Sequence, residues 1–132
     1  MKTVPLHIFA LALGLLLVSS PLFAHHGASA YETGLTNLKG TVTDYHLMNP
    51  HTELFFDVTG SSGKVEKWAA EGASALTMSR LGWTTSTFKP GDPITVAGNR
   101  AKNGSHNMRL RKVVLASGKE FIIERGEDYA GQ

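Results

Sequence analysis

The chain has 132 residues, with 13 Lys and Arg against 11 Asp and Glu, six histidines and no cysteine. This length suits one compact domain behind a leader and is too short for two. Without cysteine there are no disulfides, thiolate metal sites, thiol redox chemistry or cysteine-linked haem, and the near-balanced charge, with no run of Lys or Arg beyond two, lacks the basic footprint of a nucleic-acid binder.

Met1-Lys2 gives a charged start, Leu6 to Val18 is apolar but for His7 and small residues, and Ser19-Ser20-Pro21 breaks the run. Leu22-Phe23-Ala24 then puts a small residue before a cut. This order of charged start, apolar centre and small-residue site predicts a secretory signal over residues 1–24. The apolar run is shorter than the roughly 20 residues that a membrane-spanning helix needs, so no transmembrane anchor is expected after cleavage. Ala28-Ser29-Ala30 is the competing cleavage site. It fits the small-x-small pattern better, but it lies far from the apolar centre and draws two histidines into the extended segment. Cleavage after Ala24 makes His25 the first residue of an exported chain, periplasmic or secreted.

Residues 25–37 are rich in Gly, Ala, Ser and Thr and show no lasting period, which reads as an extended N-terminal arm. Residues 38–123 have the pattern of a β domain. Lys39 to Leu47 is the first strand, with Gly40 at a bulge or a close backbone approach. Asn49-Pro50 marks a turn. Thr52 to Thr59 alternates, with Leu54, Phe56 and Val58 on one face and Glu53, Phe55 and Asp57 on the other. Gly60-Ser61-Ser62-Gly63 turns into a third strand, Lys64 to Glu71. Ser74 to Leu81 reads as a short helix capped by Ser74 or Gly72 and stopped at Gly82, with Trp83 folding back on the core.

Lys89-Pro90-Gly91-Asp92 is a tight turn. Pro93 to Arg100 is a strand with Ile94 and Val96 inward. Asn103-Gly104 is the strongest hairpin signal in the chain. Asn107 to Ala116 follows, with Met108, Leu110 and Val114 expected inward and Arg100, Arg109 and Arg111 on a solvated outer face. Glu120 to Ile123 closes the pattern, and residues 124–132 read as a flexible tail. Three strands, a helix, then two or three strands predict a mainly β fold: a small OB-like Greek-key barrel of five to six strands with one short helix. A two-layer β-sandwich is the alternative.

Beyond His7 in the leader, the histidines are His25, His26, His46, His51 and His106. An N-terminal His25 offers its α-amine and its ring nitrogen together, a chelating pair that no internal histidine has. With one further imidazole, from His26 or His51, this makes the nitrogen-rich set that suits copper first and zinc second. The metal candidates are therefore His25, His26 and His51, with His46, Glu71 and His106 as additional ones. The plainer readings are a polar terminus for His25 and His26, a turn-stabilising hydrogen bond for His51, solvent-facing histidines at 46 and 106, and a cap or solvated acid at Glu71. Tyr45, Phe55 and Trp83, with His51, would line a mouth for a small ligand; core packing is the competing role for Phe55 and Trp83. No G-x-S-x-G, H-E-x-x-H or phosphate-loop pattern is present. The sequence points away from an enzyme, with a metal hydrolase using His51 and Glu71 as the weakest reading.

Ala24-His25-His26, Leu38-Lys39-Gly40-Thr41-Val42, Asn49-Pro50-His51, Trp68-Ala69-Ala70-Glu71-Gly72, Leu81-Gly82-Trp83, Lys89-Pro90-Gly91-Asp92 and Gly118-Lys119-Glu120-Phe121 together resemble a bacterial family known as domain of unknown function 6152. The resemblance covers nearly all of the chain beyond the leader. It implies a small exported protein of Gram-negative bacteria with the His-His pair at its mature terminus and no assigned activity. Gly27 stands where members often carry Ser, and Ala73-Ser74-Ala75 lacks the Pro-Asn often found there; neither departure touches a histidine. Two functions follow as expectations: a periplasmic metal-binding protein, or a metal-free envelope module for a small ligand or protein. Neither involves nucleic acid.

Overall fold

Alternating apolar residues separated by glycine turns build the strands of a closed barrel. The computed structural model describes residues 28–123, so the expected leader, His25, His26 and the tail from residue 124 lie outside the described residues. The strands are β1 (Thr36–His46), β2 (Glu53–Thr59), β3 (Val65–Glu71), β4 (Pro93–Arg100), β5 (Asn107–Leu115) and β6 (Glu120–Ile122), with helix α1 (Ala75–Arg80) between β3 and β4. Their order is β3-β2-β1-β4-β5-β6. All neighbours run antiparallel except β3 and β5, whose parallel pairing over Ala69–Glu71 and Asn107–Arg109 closes five strands into a barrel. The fold is thus the expected OB-like barrel, with β6 laid along the C-terminal half of β5.

Two bulges decide which side chains face in. In β1, Val42 pairs with Phe56 and Asp44 with Phe55, so Thr43 is an extra residue. The bulge turns Tyr45 inward and sends Asp44 and His46 outward. In β5, Lys112 pairs with Ala97 and Leu110 with Gly98, leaving Arg111 unmatched. Val113, not Val114, is consequently buried, because the extra residue shifts the alternation by one. Gly40 proves to be a close approach: a Cβ there would lie 2.6 Å from the Asp57 carbonyl and 2.8 Å from the Phe56 ring.

The core joins Leu54, Phe56, Val96, Met108, Leu110 and Val113 to an aromatic group of Trp83, Phe88 and Phe121. Each large side chain fully buried there contributes about 1.5–3 kcal/mol, which a domain without disulfides needs. Ser74 caps α1, its hydroxyl accepting from the Thr77 amide. Gly82, at φ +87°, ends α1 with the Trp83 amide donating back to the Met78 carbonyl, which swings Trp83 under the barrel.

The arm is more attached than its composition suggests. A 3-10 turn at Ala28–Ala30 leads into an isolated bridge between Tyr31 and Ala101, flanked by bonds from the Glu32 amide to the Arg100 carbonyl and from the Lys102 amide to the Ala30 carbonyl. Strand β1 begins at Thr36, earlier than expected, because Thr36, Asn37 and Leu38 pair with Gly98, Ala97 and Val96 of β4.

Candidate functional site

The outer wall where β1, β2 and β3 lie side by side collects most of the polar chemistry. His46 pairs across to Glu53, and Glu53 pairs across to Glu71, so three adjacent strands present a histidine and two carboxylates in one row. The loop from β1 to β2 adds His51. Its Nδ1 lies 3.1 Å from Glu71 Oε1. The loop is held at its base by the Thr52 amide bonding the Ala73 carbonyl and the Gly72 amide bonding the Thr52 carbonyl. Asn49 Oδ1 accepts from the Ala75 amide at the start of α1, which fixes the turn ahead of His51.

The nitrogen that His51 uses matters. When Nδ1–H donates to Glu71, the other nitrogen, Nε2, keeps its lone pair and points away from the carboxylate. That is the arrangement in which a carboxylate orients a ligating imidazole. Glu71 therefore fits the role of orienting residue better than that of direct ligand. His46 differs: its Nε2 is 3.0 Å from Asp44 Oδ2 and its Nδ1 is 3.8 Å from Glu53 Oε2, so both nitrogens face carboxylates. The ring also packs edge-on against Phe55 at 5.5 Å.

Glu53 and Glu71 line a pocket of about 130 Å³ with Tyr31, Ala69, Ala70, Asn107 and Met108. The Tyr31 hydroxyl reaches Glu71 Oε2 at 3.5 Å. Burial raises the Tyr31 pKa above the ordinary phenol value, and the neighbouring Glu71 carboxylate raises it further, against a smaller opposing pull from Arg109. The arm thus enters the site through a protonated phenol.

The remaining candidates fall elsewhere. His106 stacks on Trp68 at 4.8 Å, with its Nε2 3.8 Å from Glu66 Oε2 at the other end of β3 from Glu71. The Arg100 guanidinium lies 4.9 Å from the Trp68 ring centre, and Arg111 Nε donates to Asn99 Oδ1, so neither arginine simply faces solvent. Trp83 is 1% exposed and belongs to the core, with Tyr45 5.9 Å away on its inner side. Phe55 sits on the opposite, outward face, so Tyr45, Phe55 and Trp83 do not share one mouth. Among the described residues, no group of three or more His, Asp and Glu side chains is arranged to hold a metal ion. His51 offers one oriented imidazole at the edge of this wall.

The chain belongs to the family of unknown function 6152, whose profile matches residues 12–109. No curated protein sequence matches it. In structure it is similar to the mitochondrial single-stranded DNA binding protein Rim1 of S. cerevisiae, with a TM-score of 0.50, 9% identity, and coverage of 64% of this chain and 95% of the yeast chain. At that identity the likeness is one of fold alone, and it agrees with the OB-like topology.

Reading the sequence missed Tyr31, Asp44 and Glu53 as members of this site. Glu53 was visible on the outward alternation of β2, and its register opposite His46 and Glu71 gives it meaning. Asp44 needed the bulge at Thr43 to bring it outward. Tyr31 carried no signal, since nothing in an aperiodic arm says where it docks.

Proposed function

We propose that this is an exported metal-binding protein of the cell envelope that takes copper first and zinc second. Its ligands are the amine and ring of His25 at the cleaved terminus, the ring of His26, and Nε2 of His51. The observation that carries this reading is the docking of Tyr31 against Glu71, the residue that orients His51. His26 precedes Tyr31 by five residues, a reach of at most about 18 Å, which supports a shared site of the N-terminal histidines with His51. Two partial ligand sets then complete each other.

The surroundings support a cation. Asp44, Glu53, Asp57 and Glu71 outnumber Lys39 and Lys67 on the outer wall of β1 to β3, with Lys67 opposite Asp57. This is the surface on which OB folds commonly take ligands. Its acidic character disfavours a phosphate backbone and raises the local concentration of a metal ion. A free α-amine titrates near about 7.7–8.0, so an ion at neutral pH displaces its proton at little cost. Nitrogen and oxygen donors without thiolate suit Cu(II) and Zn(II). The role we assign is capture or delivery, since among the described residues no base is positioned for turnover. A metal-free module has less behind it, because Tyr45, Phe55 and Trp83 are divided between two faces.

The test is a Cu(II) titration of the chain beginning at His25, followed by calorimetry and EPR. One equivalent should bind with a nitrogen-dominated signal, and one extra residue before His25 should weaken binding by at least about tenfold, or about 1.4 kcal/mol. Unchanged affinity on extension would remove the terminal chelate.

A further inference from the structure

Asn99 is 2% exposed in β4, and with Thr52 it is one of two buried polar residues among the described residues. A buried amide must find partners or lose stability. Both of its donor contacts go to the arm and neither to the sheet: Nδ2 donates to the Thr33 carbonyl at 3.2 Å and to the Gly34 carbonyl at 3.2 Å. Its acceptor, Oδ1, is taken by Arg111 Nε at 2.6 Å, which fixes the amide with its donors facing the arm.

The surrounding backbone is shaped to make this contact. Arg111 is the extra residue of the β5 bulge, and bulges re-aim side chains. Gly98, directly before Asn99, allows the close crossing: a Cβ there would meet the Arg109 carbonyl and would lie 3.1 Å from the Met108 sulfur. Immediately upstream of the clamped Thr33 and Gly34 come the backbone bonds of Ala30, Tyr31 and Glu32 to the end of β4 and the start of the next turn. Asn99 is therefore the side chain that fastens the arm on its way to Glu71.

We propose that Asn99, held by Arg111, is the positioning residue that locks the arm at Thr33 and Gly34 and so keeps Tyr31 against Glu71, the partner of His51. This rests on the metal-binding reading above and adds how the two halves of the ligand set are kept together. A fixed arm raises the effective concentration of the terminal chelate at His51; a loose arm lets the chelate bind alone.

Asn99→Asp separates the contacts. It keeps an acceptor for Arg111, loses both donors and sets an anionic oxygen against two carbonyls. In the chain beginning at His25, amide exchange at Glu32 and Lys102 should speed up by at least about tenfold. Copper affinity should fall about tenfold with His51 present and less than about twofold in a His51→Ala background, because a positioning effect needs its second ligand. Asn99→Ser, too short to reach either carbonyl, repeats the measurement if the aspartate variant does not fold. Equal losses in both backgrounds, or a loosened arm with unchanged affinity, overturn the role of Asn99. Failure of the unsubstituted protein to bind copper at all overturns the metal reading instead, and is read before any variant is made.

Discussion

The two faces of β1, β2 and β3 do opposite work with alternating residues of the same strands. Inward lie Tyr45, Leu54, Phe56 and Ala70, joined to Trp83 and Phe88; outward lie Asp44, His46, Glu53, Phe55 and Glu71. A single bulged residue, Thr43, keeps these sets apart, for without it Asp44 and His46 would turn into the core. The inner face supplies stability through close packing, while the outer face carries charge that contributes little to folding. Substitutions on the two faces should therefore act on different observables.

The largest expected effect is inside. Trp83→Ala removes a ring that touches Phe88 and Phe121 at 4.8 and 5.4 Å. It should cost about 3–5 kcal/mol in denaturant unfolding, a large share of the stability of a small domain. Trp83→Phe should cost less and remain fully folded. In both variants copper affinity per folded molecule should stay within about twofold. A tenfold loss in the phenylalanine variant would mean that the core and the outer wall are coupled and that the separation of faces is wrong.

The histidines also differ among themselves. His51 turns its Nδ1 to Glu71, while His106 lies flat on Trp68. His51→Ala should weaken copper binding by about tenfold or more and leave stability within about 0.5 kcal/mol. His106→Ala should do the reverse, losing a stacking contact of about 0.5–1.5 kcal/mol with copper affinity unchanged. Parallel titration and urea unfolding of the two variants check both halves. Matching losses of copper affinity would make the sites equivalent and remove the special standing of His51.

Much of the fold could be read from local pattern. Strand β2 alternates cleanly, Ser74 and Gly82 bracket α1, and Asn103-Gly104 turns where its chemistry says it should, with Gly104 at φ +78°. Local pattern does not report non-local pairing. The parallel closure of β3 on β5 depends on residues far apart in the chain, and so do the bulges at Thr43 and Arg111, which exist only relative to a partner strand. The site divides in the same way. His51 and Glu71 were both legible as polar residues at strand ends, but their 3.1 Å contact was not. Asn99 looked like one more strand residue, because its meaning comes from Thr33 and Gly34.

The smallest effect probes the inner face through pH. The Tyr45 hydroxyl is buried beside Trp83 and Phe88 with no hydrogen-bond partner among the described residues. Burial pushes its pKa up to about 12, against 10.0 for an unperturbed phenol. Below pH 10 both states hold the proton and stability is unaffected. Between about pH 10 and 12 the unfolded chain releases a proton that the folded protein retains, so stability should fall as pH rises through that window. Tyr31, raised for a similar reason, adds in the same direction. Tyr45→Phe keeps the ring and deletes the titrating group. At pH 7 it should be neutral or stabilising by up to about 1 kcal/mol, since a buried donor without a partner is lost. Its alkaline slope should be shallower than that of the parent, with the Tyr31 contribution still present. Urea unfolding at pH 7 and at pH 11 measures both quantities. A clear loss of stability at pH 7 would show that the Tyr45 hydroxyl has a partner worth keeping, and the inner face would then hold a polar site of its own.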